Sequence, residues 1–208
     1  MPRDLLTSAH RRELEHDSAI DRAIIAERGY CTIESRRDLA ARSPFTFSGT
    51  RSASSFPALY IPMYRATGEP ISAQVKPAVP VTFKGKKPVK YLSPRGVPNH
   101  LDVHPRNHAR IADLSVTIWI TEGVKKADAL TSCGYCVVAL TGVYNWRNKL
   151  GSLGDWEDVP LKGRHVVLCF DSDARSNVHV ARAMERLGRW CRSKGAASVR
   201  YLIVPEAV

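Results

Sequence analysis

Two short acidic stretches carry the residue types best suited to chemistry in this sequence, Thr121-Glu122-Gly123 and Asp171-Ser172-Asp173. Each directly follows a run that reads as a β-strand, at 116–120 and 165–170. In open parallel α/β sheets ligands bind beyond the carboxyl ends of the strands, so three carboxylates converge on one rim if these strands are neighbours. An Asp-x-Asp pair can turn both carboxylates toward one hard cation, and Mg²⁺ or Mn²⁺ takes oxygen donors. Glu122 can complete that shell or move a proton. The same residues also fit a plainer reading, with Asp171 capping the next helix and Asp173 facing solvent.

Gly123 lets the chain turn closely into a helix whose N-terminal amides can receive a phosphate. Lys125 and Lys126 fall in its first turn, against the helix dipole, a position that favours an anionic ligand or solvent exposure over helix stability. Trp146, with Tyr144 and Asn145, follows the next strand-like run and so belongs to the same rim, where its ring can stack on a base or be buried under the crossover loop.

Such a rim needs a parallel sheet behind it, and from residue 116 the pattern supplies one. Apolar strand-like runs at 116–120, 135–140, 165–170 and 199–204 alternate with helical runs at 123–133 and 178–194 and a polar, Gly-containing crossover at 146–160. Continuous apolar strands alternating with helices imply parallel pairing through βαβ crossovers. The expected class is α/β, a four-stranded mainly parallel sheet flanked by helices over 111–208, preceded by a smaller α+β region.

The preceding residues divide by composition. Residues 1–42 read as a helical lead-in with Gly29 as a stop, 43–57 as a Ser-, Gly- and Pro-containing linker or irregular loop, and 58–110 as a small basic subdomain of short β-like runs. Within the last, Phe83-Lys84-Gly85-Lys86-Lys87-Pro88-Val89-Lys90-Tyr91 mixes Lys84, Lys86, Lys87 and Lys90 with two aromatics, which suits phosphate attraction and base stacking, and equally a solvated hairpin tip. His100, His104 and His108 recur every four residues, but Pro98 and Pro105 make them loop histidines. Cys133-Gly134-Tyr135-Cys136 has zinc-knuckle spacing without a second pair.

The formal charge of +11 and pI near 9.7 suit a protein that meets a polyanion. Residues 1–110 hold eighteen Lys and Arg against ten Asp and Glu, and 111–208 hold thirteen against ten, so the surplus is mostly N-terminal. No apolar run approaches the roughly 20 residues of a bilayer span and no signal-type h-region opens the sequence, so the expectation is a cytoplasmic protein with no membrane partner. Five scattered cysteines argue against a disulfide framework.

Three segments together carry a resemblance: Trp119-Ile120-Thr121-Glu122-Gly123-Val124-Lys125-Lys126-Ala127-Asp128-Ala129-Leu130, then Val138-Ala139-Leu140-Thr141-Gly142-Val143-Tyr144-Asn145-Trp146, then Leu168-Cys169-Phe170-Asp171-Ser172-Asp173. Over about 111–205 the chain resembles the Toprim-like domain, DUF3854-type, of plasmid and phage replication proteins, related to the Toprim domains of primases and topoisomerases. Residues 61–68 and 90–94 also look like the segment that precedes Toprim in those proteins. The resemblance implies a Mg²⁺ site for phosphoryl transfer on nucleic acid, with Glu122 as acid/base and metal-associated glutamate and Asp171 and Asp173 as metal ligands. It implies single-stranded DNA or another nucleic acid as partner, and in relatives often a replicative helicase. The sequence contains no GxxxxGK[ST] motif of its own. Primase-like nucleotidyl transfer, a non-catalytic module that binds DNA or recruits a helicase, and a metal-dependent nuclease all remain open at this level.

Overall fold

Short helical runs separated by stop signals build the first part of the chain. Helix α1 (Ser8–Arg12) starts where Thr7 Oγ1 accepts the His10 N–H, and it widens into a π turn at Glu13–Asp17 that buries Leu14. Helix α2 (Arg22–Arg28) stops at Gly29, whose φ of +79° reverses the chain while its N–H closes on Ile25 O. Strand β1 (Cys31–Ile33) follows, then α3 (Arg36–Arg42), capped by Ser35 Oγ accepting from the Asp38 N–H. Strands β2 (Ala58–Tyr64) and β3 (Pro70–Lys76) complete a sheet of order β1-β2-β3, with β1 antiparallel to β2. The helical lead-in thus contributes a strand as well as helices. Three residues are too few for an alternating pattern to show.

The computed structural model describes residues 5–50, 53–85, 87–170 and 177–203. The chain forms two units, Met1–Met63 with Pro70–Pro98, and Tyr64–Glu69 with Asn99–Val208. In the first, Ile33, Leu39, Tyr60, Val75 and Leu92 form the core, and Phe45, Phe47 and Phe56 pack on it. The described residues of 43–57 include a 3-10 turn at Ala53–Ser55, and Phe45, Phe47 and Phe56 tie the segment to this core.

In the second unit, β4 (Asp102–Val103) and the short helix α4 (His108–Ile111) lead into β5 (Ile118–Glu122), α5 (Val124–Ser132), β6 (Cys136–Leu140), β7 (His165–Phe170), α6 (Val178–Ser193) and β8 (Ser198–Ile203). The sheet order is β4-β6-β5-β7-β8, with β5, β6, β7 and β8 parallel and β4 antiparallel to β6. The four expected parallel strands are present. A fifth comes from residues grouped by composition with the basic subdomain, so this unit begins near 99 rather than 111 and takes in the turn at 64–69. A two-residue strand between Pro98 and Pro105 leaves no periodic signal.

Buried Ile118, Ile120, Val138, Leu140, Val166, Leu168 and Phe170 from the central strands meet Met184, Leu187 and Cys191 of α6 in the main core. Gly188 lets α6 approach β8, because a Cβ there would collide with the Tyr201 hydroxyl. Arg164 is 0 % exposed, and its guanidinium donates to Val116 O at 2.7 Å, Arg110 O at 3.0 Å and Ile111 O. It ties the entry to β5 to the entry to β7, which sets the two central strands against each other. Burial lowers its pKa from the usual arginine value. Among the described residues no helix is long and apolar enough to cross a membrane.

Candidate functional site

β5 is the middle strand, and its neighbours fix what lies at its carboxyl end. Ile118 to Glu122 run beside Cys136 to Leu140 on one side, and Ile118 to Thr121 beside Val166 to Cys169 on the other. From β5 the chain passes to β6 on one side, and from β7 it passes to β8 on the other. Adjacent strands whose connections leave in opposite directions make a topological switch point, where open α/β sheets bind ligands. Glu122, the last residue of β5, stands at that point and is half-buried.

Gly123 makes the sharp exit from β5. Its φ of +88° and ψ of 134° belong to a region costly for residues with a Cβ, and its N–H donates to Leu140 O at 2.8 Å. Among the described residues, its chain neighbours aside, no atom lies within 4 Å of where a Cβ would stand, so it is conformation that asks for glycine here. The first turn of α5 then opens on the rim with Lys125 half-buried and Lys126 exposed. Asp128, one turn on, is buried within the unit.

The loop after β6 completes the described part of the rim. Asn145 Nδ2 donates to Thr141 Oγ1 at 3.1 Å, and Gly142 leaves room for it. Trp146 is not available for stacking: it is 4 % exposed, with its ring centroid 5.3 Å from that of Trp190, while Trp156 packs on Trp190 at 4.8 Å and donates its Nε1–H to Trp146 O. Burial, the second of its two readings, is the one realised, because the crossover at 146–160 folds its own Trp156 back over the core. The accessible aromatic is Tyr144, 39 % exposed and held by its hydroxyl donating to His179 O at 2.9 Å. Its position two residues before Trp146 was the available signal.

Asp171 and Asp173 lie outside the described residues, as does Lys86. β7 ends at Phe170, and Asn177 caps α6 by accepting the His179 N–H at 3.1 Å. Among the described residues no group of three His, Cys, Asp or Glu side chains is gathered as a metal site. Glu122, Asp171 and Asp173 offer only carboxylate oxygens, a donor set that fits Mg²⁺ or Mn²⁺. Zinc does not fit the Cys133 and Cys136 pair, since Cys133 is exposed while Cys136 is buried in β6, where burial raises its thiol pKa.

The three histidines are structural. His104 is buried and its Nδ1 accepts the Arg106 N–H, His108 opens α4 with its Nε2 3.1 Å from Val103 O, and His100 meets Asp155 at 3.1 Å. Asp155 also accepts the Leu101 N–H at 2.8 Å and pairs with Arg65, fastening the 64–69 turn and the approach to β4 onto the same unit. Composition offered no sign of this carboxylate's role.

In the first unit the lysine segment is a hairpin tip. Val81 and Val89 exchange backbone hydrogen bonds at 2.8 and 3.0 Å, leaving Lys84 and Lys87 exposed on the tip and Lys90 exposed beside it.

The family model described as "Domain of unknown function (DUF3854)" matches residues 109–206, the α/β unit without its first strand. A protein of Picosynechococcus sp. is 37% identical over 73 residues, which are 34% of this chain and 7% of that protein. Among solved structures, the primase of Aquifex aeolicus (zinc-binding and RNA polymerase domains) superposes with a TM-score of 0.63 at 18% identity, over 97% of this chain and 51% of that one. The E. coli primase catalytic core gives 0.57 at 15% identity, over 97% and 67%. A DnaG primase catalytic domain bound to single-stranded DNA gives 0.59 at 16%, over 99% and 69%. The chain spans about half the length of the Aquifex primase chain it matches. At these identities the likeness is one of fold: this chain has the α/β fold of primase catalytic cores, with the Toprim-like sheet in its second unit.

Proposed function

We propose that the chain is a Mg²⁺- or Mn²⁺-dependent, primase-like protein that transfers nucleotidyl groups on a single-stranded nucleic-acid template in plasmid, phage or mobile-element replication. The observation that carries this reading is the adjacency of β5 and β7 at the switch point of the sheet. Glu122 closes the first strand, and Asp171-Ser172-Asp173 is joined covalently to the last residue of the second. The primase-core fold and the basic charge support the same reading.

Glu122, Asp171 and Asp173 would hold the cation, which when bound neutralises phosphate charge and aligns attacking and leaving oxygens. The Glu122 carboxylate, half-buried at the end of β5, would take a proton from the attacking hydroxyl. The N-terminal end of the α5 dipole and the two lysines of its first turn would draw phosphate oxygens toward the rim. The exposed lysines of the 81–89 hairpin attract the strand without reading its sequence.

Ribonucleotide primer synthesis on a single-stranded template, run beside nicking of a supercoiled circle with Mg²⁺ or Mn²⁺, tests the proposal. Wild type should extend, and Glu122→Gln should lose activity by a factor of about 10²–10⁴. Nicking without extension would assign a nuclease instead. Strand binding with neither activity would assign a binding module.

A further inference from the structure

The segments 36–50 and 83–95 of the first unit hold eight Lys and Arg against one acidic residue, Asp38. That carboxylate is already engaged: Oδ1 accepts from Arg42 Nε at 2.7 Å and Oδ2 from the Glu34 N–H at 3.1 Å. The two segments are stitched together where Phe47 pairs with Pro94 and the Arg95 N–H donates to Thr46 O at 2.8 Å. Beside this seam lies a cleft of about 490 Å³, lined by Arg36 and Arg95, the hydroxyl-bearing Thr46 and Ser48, and Gly49 and Phe83.

The cleft is a product of the fold rather than a gap between mobile side chains. Gly49 has φ +94°, and a Cβ there would come within 3.0 Å of Val81 Cγ1 and 3.3 Å of the Phe83 ring, so the loop can lie against that ring only as glycine. Thr50 Oγ1 donates to Phe47 O and Ser55 Oγ to Gly49 O, which hold the loop closed. Among the described residues the guanidinium groups of Arg36 and Arg95 have no hydrogen-bond or ion-pair partner.

Two guanidinium forks with no carboxylate partner among the described residues, hydroxyl-bearing residues in the same lining and an aromatic ring together match a phosphate that carries a planar or sugar group. The volume is in the range of small-ligand sites, about 300–1,000 Å³, enough for one nucleotide unit. The geometry points to a nucleotide-phosphate site at Arg36 and Arg95, with Phe83 against the attached base or ribose. Its source is either a single strand or a free nucleoside triphosphate. The site rests on the nucleic-acid reading above only for the choice of polymer.

The test uses the full chain in EDTA, which removes divalent cations and so keeps the acidic rim of the other unit out of the readout. Labelled oligothymidylate and ATP are titrated separately over a salt series against wild type and Arg36→Gln/Arg95→Gln, after a thermal melt shows both folded. A strand in the cleft predicts a loss of about tenfold in oligothymidylate affinity. It also predicts a log–log salt slope flatter by about 1.4, the value for two phosphate contacts on a single strand. Loss confined to ATP keeps the phosphate site and assigns it to free nucleotide. If the double variant melts early, Arg95→Gln alone is read, with half that slope change expected. Phe83→Leu should weaken oligothymidylate binding about fivefold or more with the slope unchanged, the mark of stacking. Unchanged affinity and slope for both ligands in the arginine variants would overturn the site, and would leave the reading of Glu122 untouched.

Discussion

The two units of this chain carry their candidate chemistry in different ways. In the α/β unit, function follows from topology: continuous apolar strands fix a parallel sheet, the sheet has one switch point, and Glu122 stands on it. In the N-terminal unit, what singles out a surface is the pair Arg36 and Arg95, whose guanidinium groups have no ion-pair partner among the described residues, beside a loop held by Phe45, Phe47 and Gly49. A scaffold of strands places a few groups accurately, whereas a loop surface of arginines and lysines attracts a polymer broadly.

The largest effect that would separate the units is expected at Arg164. Its guanidinium serves carbonyls from four residues, and Arg164→Ala should cost about 3 kcal/mol or more by leaving them without donors. All four tryptophans, Trp119, Trp146, Trp156 and Trp190, belong to the α/β unit, so a urea melt followed by fluorescence reads that unit alone. An unmoved midpoint would remove Arg164 as the fastening of the central strands.

A smaller loss, about 1–3 kcal/mol, is predicted for Gly123→Ala, because alanine must adopt a conformation in which the glycine now sits at φ +88°. The same fluorescence melt measures it, and a variant as stable as wild type would mean that the turn can relax. For the N-terminal unit, Phe47→Ala should expose the loop, so limited proteolysis cuts within 43–57 several times faster than in wild type. Equal rates would show that composition alone, and not the aromatic packing, decides the cutting of that segment.

Replacing Lys84, Lys86, Lys87 and Lys90 together by Ala should weaken single-strand binding by about tenfold or more without altering sequence preference. Affinity unchanged in low salt would withdraw the hairpin from the proposed interface. The smallest effect is chemical: Cys133 should react with a thiol reagent first, since burial pushes Cys31 up to about 11 and Cys191 up to about 12. Fast labelling at Cys191 would mean that α6 opens readily from the sheet.

Much of the α/β unit was legible because its strands at 118–122, 136–140 and 165–170 are apolar on both faces and long enough for a run to register. The strand-end position of Glu122 and the need for Gly123 followed from the same pattern. β1 and β4 were not legible, since strands of three and two residues show no period and take their pairing from partners distant in sequence. Trp146 left two readings open because a residue after a strand can turn outward or back. Only the return of Trp156 through the crossover settles it. The Arg36 and Arg95 cleft was invisible for a related reason: its halves lie almost sixty residues apart and meet where Phe47 pairs with Pro94.

The central claim is that Glu122, Asp171 and Asp173 hold one divalent cation, and the most direct measurement is thermal stability with and without Mn²⁺. On this claim the three carboxylates would repel one another until a cation is bound, so wild type should gain about 5–10 °C at a hundredfold excess of Mn²⁺ over its dissociation constant. Asp171→Asn should lose most of that gain and stand level with or above wild type in EDTA, while Glu122→Gln keeps more of it if Glu122 acts chiefly on the proton. Equal stabilisation of wild type and Asp171→Asn by Mn²⁺, or none in either, would contradict the account.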